Sequence, residues 1–154
     1  MLKKMASDAL GLSDIGKIID KSDFNKVDSD DYIMNEDGES IFFIIKSRSD
    51  EYCFTNLALI HIDGASAMSK KRLVSRYDYY KNPITDVQIE TAGTIDLDCE
   101  IKFTIGGKGF SIDVNKNQIE QLKDLYKSLY RIGCIIEENN LMLQKSEETL
   151  AIAA

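Results

Sequence analysis

The sequence predicts a mainly β domain with one α-helix (β plus α): about seven short antiparallel strands forming a sandwich or barrel, a C-terminal α-helix capping it, and short N-terminal helices. Three observations predict this. Ile95, Leu97, Cys99, Ile101, Phe103 and Ile105 alternate strictly with Asp96, Asp98, Glu100, Lys102 and Thr104, the period of a strand with one buried face. From Ile119 the period changes, and Ile119, Leu122, Leu125, Tyr126, Leu129, Ile132 and Ile136 fall on one helical stripe. Between them and the N-terminus the apolar residues come in short runs separated by turn signals.

Taken in order, the first twenty residues read as short helix. Leu2, Met5 and Ala9 share a face, Gly11 interrupts it, and Ser13 is placed to cap a turn carrying Ile15, Ile18 and Ile19. From Asp20 to Asp31 the chain is polar and acidic, with Phe24 and Val27 as its firm apolar points, and reads as a linker or loosely docked loop. An EF-hand does not fit there, because the loop glycine is missing and the flanking helices are poor. After the Asp37-Gly38 turn, Ile41 to Ile45 is a short apolar run typical of a buried strand. Ser47 to Asp50 is a turn. Tyr52 to Thr55 and Ala58 to Ile62 follow as strands, Leu73 to Tyr80 as another, and Pro83 leads into the next. The alternating strand from Ile95 to Ile105 then meets Gly106-Gly107-Lys108-Gly109, a turn, and Phe110, Ile112 and Val114 complete a hairpin. Overlapping capping-box patterns at Asn115 to Gln118 and Asn117 to Glu120 start the helix, which Gly133 weakens without having to end. The divisions expected are 1–35 as helical segment and linker, 36–138 as the β domain with its helix, and 139–154 as helix extension or tail. One amphipathic helix on the open end of a seven-stranded sheet seals it economically.

Composition narrows the function. With 154 residues, 44% of them hydrophobic and 29% charged, the chain has the make-up of one folded domain. A net charge of −7 repels phosphate backbones and anionic lipid, which disfavours nucleic acid as a partner. No stretch approaches the roughly 18 to 20 apolar residues of a bilayer span. Ser7, Asp8, Gly11 and Ser13-Asp14 interrupt any apolar signal core, and no lipid anchor is expected, so the expected compartment is the cytoplasm. Cys53, Cys99 and Cys134 are odd in number, far apart and set among apolar neighbours, which reads as buried reduced thiols rather than metal ligands.

The segment Glu90-Thr91-Ala92-Gly93-Thr94-Ile95-Asp96-Leu97-Asp98-Cys99-Glu100-Ile101 resembles the signature of the bacterial pleckstrin-homology family. Phe54-Thr55-Asn56 followed by Leu59-Ile60 is similar to a second pattern of that family, and Pro83 with Ile84 and Val87 fits its proline-led strand entry. The resemblance covers roughly residues 36 to 132. It implies a PH-like β-sandwich with a C-terminal helix and no established catalysis. It also implies assembly into closed rings, five-fold for single-domain members and larger where a helical hairpin is added, with a protein-binding surface where strands of neighbouring protomers meet. This chain departs from the family at Leu57-Ala58, where a Lys-Arg pair is common.

On that footing the candidate protein-interaction or oligomer surface is Glu90, Thr91, Gly93, Thr94, Asp96, Asp98 and Glu100. Asp96, Asp98 and Glu100 are expected on one strand face about 7 Å apart, a ladder of like charge that needs solvent, cations or a partner. The competing explanation is a solvated strand face. Such a strand spreads its acids, so metal binding is not expected. Gly93 suits a tight turn or bulge. Lys70, Lys71, Arg72 and Arg76 form the basic cluster, a possible counter-surface in a neighbouring copy or, alternatively, a lipid-headgroup site. The first hairpin, which would carry the headgroup site, has Arg48 opposed by Asp50 and Glu51. His61 lacks any second ligand or nucleophile partner and reads as structural. The glycine turn at 106–109 joins two strands, so no helix N-terminus backs a phosphate there. No cofactor, metal or catalytic constellation is expected.

Overall fold

The computed structural model describes residues 14–64 and 71–153. The helix expected around Leu2, Met5 and Ala9 and the loop at 65–70, Lys70 included, lie outside the described residues. Among the described residues eight strands form two antiparallel sheets. The larger has the order β1 (Lys17–Ile18), β2 (Ile41–Lys46), β3 (Asp50–Thr55), β4 (Ala58–Asp63) and β5 (Leu73–Asp78). The smaller contains β6 (Ile84–Glu90), β7 (Asp98–Ile105) and β8 (Lys108–Asn115). A helix, α1 (Ile119–Ala153), follows a 3-10 turn whose Asn115 side chain accepts a hydrogen bond from the Asn117 N–H at 3.1 Å. No helix among the described residues is long and apolar enough to cross a membrane.

The extra strand β1 corrects the expectation of a Ser13-capped helix. Ile18 pairs with Ile45 of β2, and its own N–H and carbonyl are bracketed by the Gln118 side chain at 2.9 and 3.2 Å. Just before it, the Gly16 N–H reaches the Asp113 carbonyl at 2.7 Å, so this stretch crosses from β8 to β2 and stitches one side of the sandwich. A Cβ at Gly16 would lie 2.6 Å from an Ile45 methyl, so the crossing admits only glycine. Branched Ile15, Ile18 and Ile19 favour this extended path over a helix.

The acidic stretch expected to be loose is instead strapped to the outer face of the larger sheet. Three 3-10 turns span Lys21–Lys26, Asp28–Tyr32 and Asn35–Asp37. Val27 is buried, and Phe24 and Ile33 pack with it over Ile44, Cys53 and Ile60, making a second small core. Two carboxylates fasten it. Glu51 accepts hydrogen bonds from the Ser29 N–H at 2.6 Å and from the Ser29 hydroxyl. Glu39 accepts from the Met34 N–H at 2.9 Å, Thr55 Oγ1 at 2.7 Å and both arms of the Arg76 guanidinium at 2.8 Å. With both faces of the larger sheet covered, Ile44 and Ile45 are both fully buried, which explains an apolar run with no alternation.

Among the described residues nothing covers the outer face of the smaller sheet, and its strands alternate. On β7, Cys99, Ile101, Phe103 and Ile105 are buried and the residues between them are half-buried. The strand begins at Asp98, however, and not at Ile95. Its last cross-strand partners are Asn115 on β8 and, at Glu100, Glu90 on β6, and beyond them no strand remains to pair with. Residues 91–97 form a loop in which Ile95 is 93% and Leu97 51% exposed.

The main core lies between the sheets and is sealed by Leu122, Leu125, Leu129 and Ile136 of α1. Gly133 brings the helix so close to β6 that a Cβ there would sit 3.0 Å from the Ile84 carbonyl oxygen. The helix continues unbroken through Gly133 to Ala153. Cys53 and Cys99 are buried, and burial pushes the Cys53 thiol up to about 12, beyond reach of ordinary thiolate chemistry.

Candidate functional site

The bare face of the smaller sheet gathers most of the acids singled out in the sequence. Glu90 of β6 faces Glu100 of β7, and Glu100 faces Asp113 of β8, so three carboxylates stand in one row across three strands. Like charges directly opposite one another destabilise a sheet. Part of the cost is offset by Lys102, whose ammonium lies 3.4 Å from Glu90 and 3.9 Å from Glu100, and by the Ser111 hydroxyl, which donates to Glu100. The rest falls on Asp113. Burial, then the negative charges of Asp98 and Glu100, push its carboxyl up to about 6. Asp113 was not among the residues singled out, although the two-residue turn at Gly106–Gly107 lets its position opposite Glu100 be counted off directly.

Asp96 does not share that face. Its carboxylate folds back and accepts a hydrogen bond from the Gly93 N–H at 2.8 Å, closing the 91–97 loop on itself. The expected ladder of Asp96, Asp98 and Glu100 on one strand is therefore replaced by a loop acid beside a cross-strand row. Glu90, Thr91, Asp96, Asp98 and Glu100 still converge on a shallow hollow of about 130 Å³, with Thr94 and Gly93 exposed in the loop above. Among the described residues no three His, Cys, Asp or Glu side chains close on a point that could hold a metal ion.

Within the basic cluster Arg72 and Arg76 are not open cations. Arg76 is spent on Glu39 and, through Nε, on Asp78 at 2.9 Å. Arg72 bonds Asp28 of the strap. Lys71 is exposed at the entry to β5, and Lys70 lies outside the described residues. Arg72 and Arg76 thus bond Asp28, Glu39 and Asp78 rather than the acidic row.

His61 is held inside the sandwich mouth. Its Nε2 lies 2.8 Å from Asp50 Oδ1, and its ring stacks on Tyr52 at 4.6 Å with Phe110 edge-on at 5.8 Å. The glycine turn likewise has a packing role, since Lys108 folds over the Tyr77 and Phe110 rings and donates to the Tyr77 hydroxyl at 2.9 Å.

A family model described as bacterial PH domain matches residues 9–132. The chain is 59% identical over 150 residues to the uncharacterized protein YvbH of Bacillus subtilis (strain 168), covering 97% of this chain and 74% of that one. It is similar to the crystal structure of a PH-domain-containing bacterial protein from Exiguobacterium sibiricum, with a TM-score of 0.84, 54% identity, and coverage of 91% of this chain and 73% of that one. A DUF1696-family protein with a pleckstrin-homology domain from Shewanella loihica shares the fold at a TM-score of 0.60 and 23% identity, covering 78% of this chain and 98% of that one.

Proposed function

The chain belongs to the bacterial PH domain family, and from that premise we propose that it is a cytoplasmic self-assembling module that binds protein at the bare face of its smaller sheet. PH domains form a non-catalytic superfamily, so the activity to be sought is recognition rather than turnover. The assembly is a closed ring, five-fold by resemblance to single-domain family members, and a further protein partner docks where protomers meet. Glu90, Asp98 and Glu100 of that face, joined by Asp113, and Thr91, Gly93, Thr94 and Asp96 of the loop beside it make the surface.

One observation carries this reading. In the middle of the signature segment Ile95 stands 93% exposed and Leu97 51% exposed, beside a row of carboxylates whose repulsion is only partly offset. Both features cost free energy in an isolated chain, and both are relieved when another polypeptide covers the loop and places cations against the row. Removing one isoleucine side chain from water contributes about 2 kcal/mol. The lipid-headgroup alternative loses support, because Arg72 and Arg76 already serve carboxylates of this chain.

Light scattering of the purified chain over a concentration series tests the proposal. A multiple of the protomer mass is expected, collapsing toward the monomer in Ile95→Asp. A monomer at every concentration, with no protein captured through the loop, would remove the functional reading and leave the fold untouched.

A further inference from the structure

The strap, residues 20–39, lies on the larger sheet without joining its hydrogen-bond ladder. Its backbone is tied down at the two ends: the Ile19 N–H donates to the Ile44 carbonyl at 2.9 Å, and the Asn56 N–H to the Ser40 carbonyl at 3.1 Å. Between those points, among the described residues, the strap's backbone-to-backbone hydrogen bonds all stay inside it, from Asp23 with Asp20 to Glu39 with Met34. Lifting it therefore breaks no strand pairing. Side chains hold the middle. Glu51 receives Ser29, Arg72 bonds Asp28, and Glu39 joins the strap to Thr55 and Arg76. The apolar contact is small, with Val27 buried but Phe24 and Ile33 only partly so. Two open clefts, of about 490 and 340 Å³, reach Phe24, one beside Phe42 and Gln121 and the other beside Ile33 and Ile41. The buried cluster under the strap shares no residue with the main core that α1 seals. A segment with few apolar contacts opens at lower free energy than core strands do.

We propose that the strap is a latched cover: it lifts as one unit while the sandwich stays folded, and uncovers the apolar outer face of the larger sheet at Ile44, Cys53 and Ile60. The latch is the Glu39–Arg76 pair, two parallel bonds of 2.8 Å with the Glu39 carboxylate shut off from solvent. With the strap down, Ile44, Cys53 and Ile60 are 0%, 0% and 1% exposed, so their face is available only while the strap is up. The device belongs to the sheet opposite the proposed interaction face, and neither reading depends on the other.

Cys53 reports the opening. The full chain is treated with excess iodoacetamide at several urea concentrations below its unfolding transition, and alkylation of Cys53 is followed by peptide mass spectrometry. Dividing its rate by the rate in the fully unfolded chain gives the fraction open. That fraction is expected to exceed the globally unfolded fraction, from urea denaturation, by about tenfold or more, with a weaker urea dependence. Glu39→Gln is expected to raise the Cys53 rate by about tenfold or more. Leu129→Ala, which weakens the main core, is expected to leave that rate unchanged at low urea. Alkylation of Cys53 only as often as the whole chain unfolds, with the same urea dependence, overturns the proposal. So does a Cys53 rate that rises in Leu129→Ala by the full loss of global stability, or one that Glu39→Gln leaves alone. Should Leu129→Ala fail to fold, the urea dependence in the wild-type chain and the Glu39→Gln rate decide between the outcomes.

Discussion

Asp113 faces Glu100 across the β7–β8 register and lies in the field of Asp98 and Asp14, so ionising it in the folded chain is costly. Its carboxyl is raised from 3.8 to about 6, which means the folded state holds a proton that the unfolded state releases between those values. Wild-type stability therefore falls as pH rises through that window, and the penalty stays in place above it. Asp113→Asn removes the ionisable group. It is expected to stabilise the chain by about 1 kcal/mol at pH 8, a figure reduced for solvent screening of a largely exposed site, and to change little at pH 3.5. Urea denaturation at the two pH values checks this. An equal effect at both would show that Asp113 acts through packing rather than charge.

At the scale of elements, the strap over residues 20–39 depends on a pair that no local pattern announces. Burial alone would raise the Glu39 carboxyl. Hydrogen bonds from Arg76, the Met34 N–H and Thr55 outweigh that and hold it below its ordinary 4.5. Glu39→Gln keeps the shape but leaves the Arg76 guanidinium without its charge partner, at an expected cost of about 2 to 3 kcal/mol at pH 7. Because the folded value is depressed, that contribution is complete above the unfolded value and disappears as pH falls through the folded one. The difference between wild type and variant in urea should shrink sharply at pH 3, and a constant difference would contradict the ion pair. The same pair shows why the strap was illegible. Glu39 and Arg76 are 37 residues apart, and Phe24, Val27 and Ile33 obey neither helical nor strand period. By contrast β7 and β8 were legible because each has one wet face and a neighbour to fix its register. The misjudged start of β7 has the same origin. Alternation at Ile95 and Leu97 persists in the sequence after the neighbouring strands have ended, and only pairing turns alternation into a strand.

At the scale of the whole molecule, the two sheets differ in what covers them. The larger has the smaller sheet on one side and the strap on the other, so its chemistry is internal. The smaller has an acidic face that no described residue covers, and the signature loop with its exposed Ile95 sits at the edge of that face. The acids could be read from the sequence because they lie within a recognisable segment. Asp113 is not singled out by any local pattern, because its relevance comes from cross-strand register.

Hydrogen exchange at two protein concentrations tests whether another copy covers the 91–97 loop and the acidic face beside it, as proposed above. Amides from 90 to 100 are expected to exchange more slowly in the concentrated sample, while those of the strap at 20–37 exchange alike in both. Rapid exchange of the loop at every concentration, at the rate of open chain, would contradict the account.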